Sequence, residues 1–462
     1  MKRVLIITYY WPPSGGSGVQ RWLKASKYLS MYGWEPVIYT PLNPDVNSID
    51  SSLEADIRAD IKVIKHKITE PYKFYKILSG KKKGEKIEAN IISSEGGGFL
   101  KKLSMHIRGN WFIPDPRVWW VGPSVRFLSG LIKEGERFDA VVSTGPPHSM
   151  HLIAQALHKK FNIPHLADFR DPWTKIFYFK HLGLSASSLK KHQALERGVL
   201  SCADKVVVVS DKMKEEFSTG EYSEFAGKVE VVTNGFDPDD FSTEKRPALK
   251  EIKERIDREC EGKFVIVHTG LLPKSADPDL LWPVLGKMVA ENTEFASRLK
   301  IVTMGQTDSC VAEEIKSAGL ESYYTQYGYV PHLESIGWQM RANVLLLPLR
   351  KEKESAAILT GKFYEYIACK GEIFAFGPVN GDLGRILKET GRGMMAEFDD
   401  GVAIEAIMRG FAKDYCSAIS KPAAEGSEMG SAEAGKNSAV EKFSRVKTTE
   451  QLAKLLDEIS RK

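Results

Sequence analysis

Short apolar runs alternate with amphipathic stretches along the first half of the chain. Residues 4–7 predict a buried strand, residues 20–31 predict a helix that Gly33 ends, and residues 36–40 predict a second strand. This order of strand, helix and strand indicates a parallel sheet. Further strands are predicted at 140–143, 165–167, 205–209 and 229–232, with helices at 148–161 and 187–201.

A second series of apolar runs follows the turn at 233–238. Strands are predicted at 264–267, 300–303, 344–347 and 373–376, with helices between them. The predicted fold class is therefore α/β, with two Rossmann-like parallel-sheet domains. We expect domains at 1–220, with a basic insertion at about 45–110, and at 221–438. The run 421–438 predicts a loop, and 439–462 a final helix that presents Leu452, Leu456 and Ile459 on one face.

Length and composition agree with two globular domains. The chain has 462 residues, of which 42% are hydrophobic, and its five cysteines lie far apart without metal-ligand spacing. A reduced compartment therefore fits better than a disulfide scaffold. The apolar start is too short for a signal peptide, and no run of about 18 apolar residues follows. We expect a cytoplasmic protein.

Charge is distributed unevenly along the chain. The net charge is +5, yet twelve Lys or Arg and only four Asp or Glu lie between Lys62 and Arg108. Aromatic residues follow this block at Trp111, Trp119 and Trp120. Basic residues beside aromatics predict contact with an anionic membrane surface, on the inner face of the cytoplasmic membrane. The alternative is a solvated basic loop beside core tryptophans. Nucleic acid is not expected as a partner, because no recognised binding motif accompanies the block.

A glycine-rich loop follows the first predicted strand at 12–18. Gly15, Gly16 and Gly18 lie where open parallel sheets bind ligands, and glycines let the backbone approach an anion. A dinucleotide site is a poor match, because the third glycine and the ribose-binding carboxylate after the second strand are missing. A flexible connector remains the alternative for this loop.

The segments that carry a family resemblance run through most of the chain. They include "RVLIITYYWPPSGGSGVQRW", "FIPDPRVWW", "STGPPHSMH", "ADFRDPW", "VVTNGFDPDDF", "HTGLL", "YGYVPHLESI" and "LTGKFYEYIACKGE". In this order and spacing, the chain resembles the family-4 glycosyltransferases, particularly bacterial members that build capsule and O-antigen polysaccharides.

The resemblance implies a GT-B fold whose last helix returns to the first domain. It implies transfer of a sugar from a UDP- or GDP-sugar to a glycan acceptor, lipid-linked, with retention of configuration. No cofactor and no metal are implied, because basic side chains and helix N-termini stabilise the leaving diphosphate. The Asp-x-Asp pairs that begin at Asp237 and Asp277 lie in predicted turns, which aspartate favours for its own reasons.

Cations for the diphosphate are sought among the donor-binding candidates of the second domain. Lys362 follows Thr360 and Gly361 at a predicted helix start, so its charge and the helix dipole act together. Lys274 stands near the position of the family's arginine, which is Leu271 here, and Arg350 follows a predicted strand. A solvated lysine is the alternative for Lys362.

Other donor contacts are implied by the family's motifs. Glu365 matches the second glutamate of the paired-glutamate motif, which contacts the donor ribose, whereas the first glutamate is replaced by Ala357. Glycines for close approach are Gly270 and Gly305, and nucleobase contact is expected from Tyr329 and Val330. Core packing is the alternative for Tyr329.

The acceptor side departs from the family's pattern. The usual catalytic His-Asp pair aligns with Arg170 and Asp171, and arginine does not act as a base. We expect Arg170, Asp171, His148 and Glu365 to be catalytic. Acceptor contacts are expected from Trp111, Asp168 and Trp173. A structural role is the alternative for His148.

Two other functions share this sequence pattern. A nucleotide-sugar epimerase of the same fold is one alternative, although such enzymes lack the Thr-Gly-Lys-x-x-Glu arrangement at 360–365. A catalytically silent binding protein is the other, because Ala357 and Arg170 replace residues that the family uses.

Overall fold

The structure is a computed structural model that describes residues 1–46, 48–70, 99–176, 179, 182–419 and 438–461. The chain forms two compact units. The first contains Met1–Thr233 together with Thr448–Lys462, and the second contains Asn234–Lys447. Residues 71–98 of the basic insertion and 420–437 of the expected loop lie outside the described residues.

The α-helices in the described part of the chain are numbered here in order. They are α1 (Ser17–Leu29), α2 (Phe99–Trp111), α3 (Val118–Lys133), α4 (Ser149–Phe161), α5 (Ala186–Cys202), α6 (Asp211–Glu216), α7 (Pro247–Glu259), α8 (Leu281–Glu291), α9 (Thr293–Arg298), α10 (Ser309–Ser317), α11 (His332–Arg341), α12 (Gly361–Ala368), α13 (Asp382–Thr390), α14 (Gly401–Ile419), α15 (Ser438–Glu441) and α16 (Arg445–Ser460).

Each unit contains one parallel sheet. The strands are β1 (Lys2–Ile7), β2 (Trp34–Pro41), β3 (Lys62–His66), β4 (Ala140–Gly145), β5 (His165–Phe169), β6 (Lys205–Val208) and β7 (Val229–Val231) in the first unit, and β8 (Phe264–Thr269), β9 (Leu299–Met304), β10 (Tyr324–Gln326), β11 (Val344–Pro348), β12 (Glu372–Phe376) and β13 (Gly393–Ala396) in the second.

The two sheets follow the same strand order, and the first has one additional strand at its end. It is β3-β2-β1-β4-β5-β6-β7 in the first and β10-β9-β8-β11-β12-β13 in the second, and every pairing is parallel. The strand order reverses between β1 and β4, and again between β8 and β11. Ligands of open parallel sheets bind beyond the carboxyl ends of strands at such a reversal. The predicted α/β fold class with two Rossmann-like sheets is confirmed.

Burial explains why these runs form central strands. The side chains of β4, β8 and β11 are buried along their whole length, as expected where helices cover both faces of a parallel sheet. The edge strand β3 has no fully buried residue, and its pattern of basic and half-buried residues gave no strand signal in the sequence.

The last helix belongs to the first unit, as the resemblance implied. Leu452, Leu456 and Ile459 of α16 are buried in one cluster with Val4 of β1 and Trp22 of α1. The helix begins at Arg445, six residues after the predicted start. A short helix, α15, precedes it. Among the helices that the structure describes, none is long and apolar enough to cross a membrane.

Candidate functional site

Three loops meet at the strand-order reversal of the second unit, and two glycines make their packing possible. Gly270 follows β8 with φ 93°, and its N–H donates to Met304 O at 2.7 Å. Gly305 follows β9 with φ 103°, and a Cβ there would stand 2.4 Å from Gly270 O. Both positions therefore require glycine. The Gly305 N–H also donates to the carbonyl of Gly328, at 2.5 Å.

Lys362 lies over the first of these glycines. Its Nζ is 3.1 Å from the position that a Cβ on Gly270 would occupy and 3.3 Å from His268 Nε2. Burial of the ammonium lowers the pKa of Lys362 to about 8, against the opposing effect of the Glu365 carboxylate. Within the described chain, no carboxylate forms an ion pair with this lysine. Lys362 is therefore a desolvated cation next to Gly270, where the absence of a side chain lets an anion approach the backbone.

The start of α12 adds to this positive site. Lys362 is the second residue of the helix, and Thr360 at its N-cap makes no side-chain cap hydrogen bond. Thr360 Oγ1 is buried and, among the described residues, has no hydrogen-bond partner. Free N–H groups at a helix start attract anions, so helix and lysine favour the same kind of ligand.

Glu365 lies three residues after Lys362 on α12 and is held from two sides by α11. His332 Nε2 lies 2.9 Å from one carboxylate oxygen, and Gln339 Nε2 donates to the other at 2.9 Å. Gln339 is fully buried. These contacts fix the carboxylate, a group that can accept hydrogen bonds from the hydroxyls of a ribose.

Three residues of this site escaped the sequence analysis: His268, His332 and Gln339. Each comes from a different place in the chain than the Thr-Gly-Lys-x-x-Glu segment that they support. Tyr366 backs the same site, because its hydroxyl lies 2.9 Å from Thr269 N. A histidine directly before the Thr-Gly pair that ends β8 was the one available signal.

The role predicted for Lys274 is not supported. Its Nζ is 2.9 Å from Asp277 Oδ2, and it also contacts Glu314 Oε1. Two carboxylates therefore already neutralise this cation. Asp277 is fully buried and accepts from Trp282 Nε1 at 2.9 Å, so its carboxylate stabilises the structure of this loop.

The other donor-binding candidates differ in how far their side chains are exposed. Arg350 follows β11 at the strand-order reversal and is partly exposed. Tyr329 is 62% exposed, and Val330 packs against the core of the second unit. The contact of Tyr329 with a nucleobase stays a prediction.

In the first unit, the glycine loop and Arg170 meet at the equivalent reversal. Arg170 Nη1 donates to Gly18 O at 3.0 Å, and Nη2 donates to Pro146 O. A Cβ on Gly18 would stand 3.1 Å from both Arg170 Nη1 and the Tyr10 ring. Gly16 has φ 94° at the N-cap of α1, and Gly15 donates its N–H to Ser48 O. The glycine loop therefore helps to hold the guanidinium of Arg170 in place.

The charge of Arg170 is only partly compensated. Its Nε is buried and has no hydrogen-bond partner in the described part of the chain. Burial lowers the pKa of Arg170, although the neighbouring Asp171 opposes this, and burial raises the pKa of Asp171. Arg170 follows β5 directly, at a carboxyl end where an acceptor can be held.

His148 is more buried than its predicted catalytic role requires. Its ring stacks on Trp173 with a centroid distance of 4.6 Å and an interplanar angle of 4°. Burial, together with the charge of Arg170, lowers the pKa of His148 to about 3, so the ring is neutral. With 6% of its surface exposed, it supports the loop next to Arg170.

Two acceptor contacts predicted from the sequence are corrected by burial. Trp173 is 1% exposed, and its Nε1 donates to His192 Nδ1 at 3.2 Å. Asp168 is fully buried and accepts from Arg21, Trp22 and Thr144. Neither side chain faces an acceptor. Trp111, the third predicted contact, is 75% exposed at the end of α2.

Comparison with known proteins gives the class of this fold. Residues 83–240 match the model of "Glycosyltransferase Family 4". No curated protein matches the chain closely enough to count as a relative. Among solved structures, a glycosyltransferase from Rickettsia africae ESF-5 has a TM-score of 0.60 at 16% identity, over 99% of this chain and 98% of that one.

Two further similar structures contain a bound nucleotide. A trehalose-6-phosphate enzyme from E. coli bound with UDP-2-fluoro glucose has a TM-score of 0.57 at 12% identity, over 99% of each chain. The catalytic domain of starch synthase IV from Arabidopsis thaliana, bound to ADP and acarbose, has a TM-score of 0.59 at 11% identity, over 100% of this chain and 99% of that one.

These likenesses show the GT-B fold, and the family match covers about a third of the chain. Together they give the chain a GT-B fold and relate residues 83–240 to the glycosyltransferases.

Proposed function

We propose that this protein transfers a sugar from a nucleoside diphosphate sugar, with UDP or GDP as the carrier, to a glycan acceptor. The observation that carries the proposal is the pair formed by Lys362 and Glu365 on α12. A cation without a carboxylate partner in the described chain stands one turn from a carboxylate held by His332 and Gln339. A diphosphate and a ribose require these two groups at neighbouring positions.

Charge stabilisation is the main chemical task of such a site. The glycosidic bond to the diphosphate breaks while the bond to the acceptor oxygen forms, and negative charge grows on the departing phosphate. Lys362 and the N-terminus of α12 would hold that charge. We propose that no metal takes part and that configuration is retained, with a diphosphate oxygen accepting the proton of the acceptor hydroxyl.

On the acceptor side we propose that Arg170 and Asp171 anchor the incoming glycan. The unpaired Nε of Arg170 among the described residues and the desolvated carboxyl of Asp171 support this role. A lipid-linked glycan of surface polysaccharide synthesis is the acceptor that the family resemblance suggests.

A thermal-shift series with UDP, GDP, ADP and dTDP tests the donor proposal. A ligand at a hundred times its dissociation constant stabilises the folded protein by about 2.7 kcal/mol. We expect UDP or GDP to raise the melting temperature most. The solved neighbours above were crystallised with a uridine and an adenine nucleotide, so ADP is an informative competitor. If none of the four nucleotides shifts the transition, the donor proposal is wrong.

We also propose that the first unit contacts an anionic membrane surface. Trp111 is 75% exposed and Trp119 48% exposed, and the Trp119 ring packs edge-on against Phe112 at 5.4 Å. Arg108 lies in the last turn of α2, the helix that ends at Trp111. Aromatic rings beside basic residues favour the interface of an anionic bilayer.

Co-sedimentation with vesicles measures this contact. We expect binding to vesicles that contain phosphatidylglycerol, and at least a tenfold loss of binding when Trp111 and Trp119 are both replaced by serine. Vesicles of phosphatidylcholine alone serve as the control and should bind weakly. Equal binding of the double variant would exclude these tryptophans from the contact.

A further inference from the structure

The side chain of His268 contacts Lys362, the cation on which the proposed donor site depends. Its Nε2 lies 3.3 Å from Lys362 Nζ, and the two residues are 94 positions apart in the chain. His268 is 1% exposed at the end of β8, two residues before Gly270. The buried histidine therefore contacts the lysine from the end of β8.

Hydrogen-bond partners decide which nitrogen of His268 carries the proton. Leu346 O lies 3.0 Å from Nδ1, and this carbonyl requires a donor. With the proton on Nδ1, the lone pair of Nε2 faces the ammonium of Lys362. The other tautomer would donate from Nε2 to Leu271 O at 3.2 Å, but it would turn a lone pair toward Leu346 O and an N–H toward the ammonium. The first arrangement satisfies more groups.

The imidazole is uncharged in this position. Burial lowers the pKa of His268 to about 3, and the charge of Lys362 acts in the same direction. A neutral acceptor can orient an ammonium without cancelling its charge. Lys274 shows the contrast within the same unit, because Asp277 and Glu314 neutralise it.

We propose that His268 is a positioning residue that holds Lys362 over Gly270 as an uncompensated cation, ready to bind a diphosphate. This inference rests on the proposed donor function and extends it to a residue to which the sequence assigned no role. The groups that act on Lys362 are the His268 imidazole and the Glu365 carboxylate on its own helix. The phosphate oxygens of the ligand would therefore neutralise the charge of Lys362.

Binding of a diphosphate should change the protonation of Lys362. With a pKa of about 8, Lys362 is largely protonated at pH 7 and largely neutral at pH 9 in the free protein. A bound diphosphate favours the charged form, so the pKa rises on binding. The terminal phosphate of UDP is already ionised at pH 9. Binding of UDP should therefore take up close to one proton at pH 9 and close to none at pH 7, and its affinity should fall as pH rises through 8.

Isothermal titration calorimetry of the full chain measures both quantities. Inorganic pyrophosphate and UDP are titrated between pH 7 and 9.5, each in two buffers of different ionisation enthalpy, so that the number of protons taken up is obtained directly. GDP is added as a third probe. Wild type is compared with His268→Gln, His268→Leu and His268→Asp, and with Lys287→Met as a matched lysine control on the surface of α8.

The three histidine variants separate positioning from mere structural support. Glutamine keeps a neutral acceptor near Nε2, so its pH profile should stay close to that of wild type. Leucine removes the acceptor, so affinity should fall about tenfold or more at pH 7 and its decline should begin at lower pH. Aspartate neutralises the lysine, so proton uptake at pH 9 should disappear together with most of the affinity.

The outcomes distinguish this inference from the donor proposal. If wild type binds none of the three probes, both are wrong. If wild type binds them without proton uptake at pH 9, or if leucine and glutamine weaken binding by the same factor at every pH, His268 is structural only and the donor proposal stands. Lys287→Met should match wild type throughout.

Discussion

Replacing Lys362 with methionine is expected to reduce the rate of sugar transfer by about 10²–10³, the cost of removing one group that stabilises developing negative charge. Methionine keeps the length and most of the volume of the lysine stem. The residue lies over Gly270 at the start of α12. Release of nucleoside diphosphate from a UDP- or GDP-sugar is the measurement.

Replacing Glu365 with glutamine should act on the same step through the ribose. The amide would bring an NH₂ group against either His332 Nε2 or Gln339 Nε2, both of which now contact carboxylate oxygens. We expect nucleotide affinity to fall about tenfold or more, as for a lost hydrogen bond to a charged group. The melting temperature without ligand should change little in either variant, and the Lys287→Met protein should turn over donor like wild type. Undiminished turnover in either variant would remove that residue from the site.

The second large effect is on folding, and it concerns Asp168. Its carboxylate accepts from Arg21 Nε at 3.0 Å, from Trp22 Nε1 at 2.7 Å and from Thr144 Oγ1 at 2.8 Å, and both Arg21 and Asp168 are almost fully buried. Asparagine at this position would leave the guanidinium of Arg21 buried without its counter-charge. We expect Asp168→Asn to lower the free energy of unfolding by about 3–5 kcal/mol.

Urea unfolding at pH 7 measures the loss, with Asp457→Asn as the control. Asp457 pairs with Lys2 at 2.9 Å, but both side chains are well exposed, so its loss should cost no more than about 1 kcal/mol. An equal cost for the two variants would contradict the assignment of Asp168 to the core of the first unit.

The same carboxylate predicts a dependence on pH. Burial alone would raise the pKa of Asp168, but the charge of Arg21 and the hydrogen bonds from Arg21, Trp22 and Thr144 outweigh it and hold the pKa below its usual value. The stabilisation is therefore complete above the pKa of the unfolded chain, about 3.9, and is lost as pH falls through the lower folded value. Asp168→Asn should reduce this acid sensitivity.

The fold could be predicted from local pattern because its main elements carry local signals. Apolar runs such as β8 and β11 are too short for helices and too apolar for loops, and Gly33 marked the end of the first helical region by its left-handed φ of 81°. The edge strand β3 could not be predicted, because it is specified by its partner strand and not by its own composition.

The site was predictable where one segment carries it and unpredictable where distant segments meet. Lys362 and Glu365 lie three residues apart on one helix, so sequence spacing alone places them together. The partners of Glu365 come from α11, and one of the two carboxylates that neutralise Lys274 lies 40 residues away at Glu314. Burial overturned two predicted acceptor contacts, because Trp173 and Asp168 lie in the core of the first unit.

The most direct test of the central claim is donor cleavage by the purified protein. Wild type is incubated with a panel of UDP- and GDP-sugars, and the release of nucleoside diphosphate is followed beside the Lys362→Met variant. The account predicts release from at least one donor by wild type and a loss of about 10²–10³ in the variant. Release at equal rates by both proteins, or no release from any donor, would contradict it.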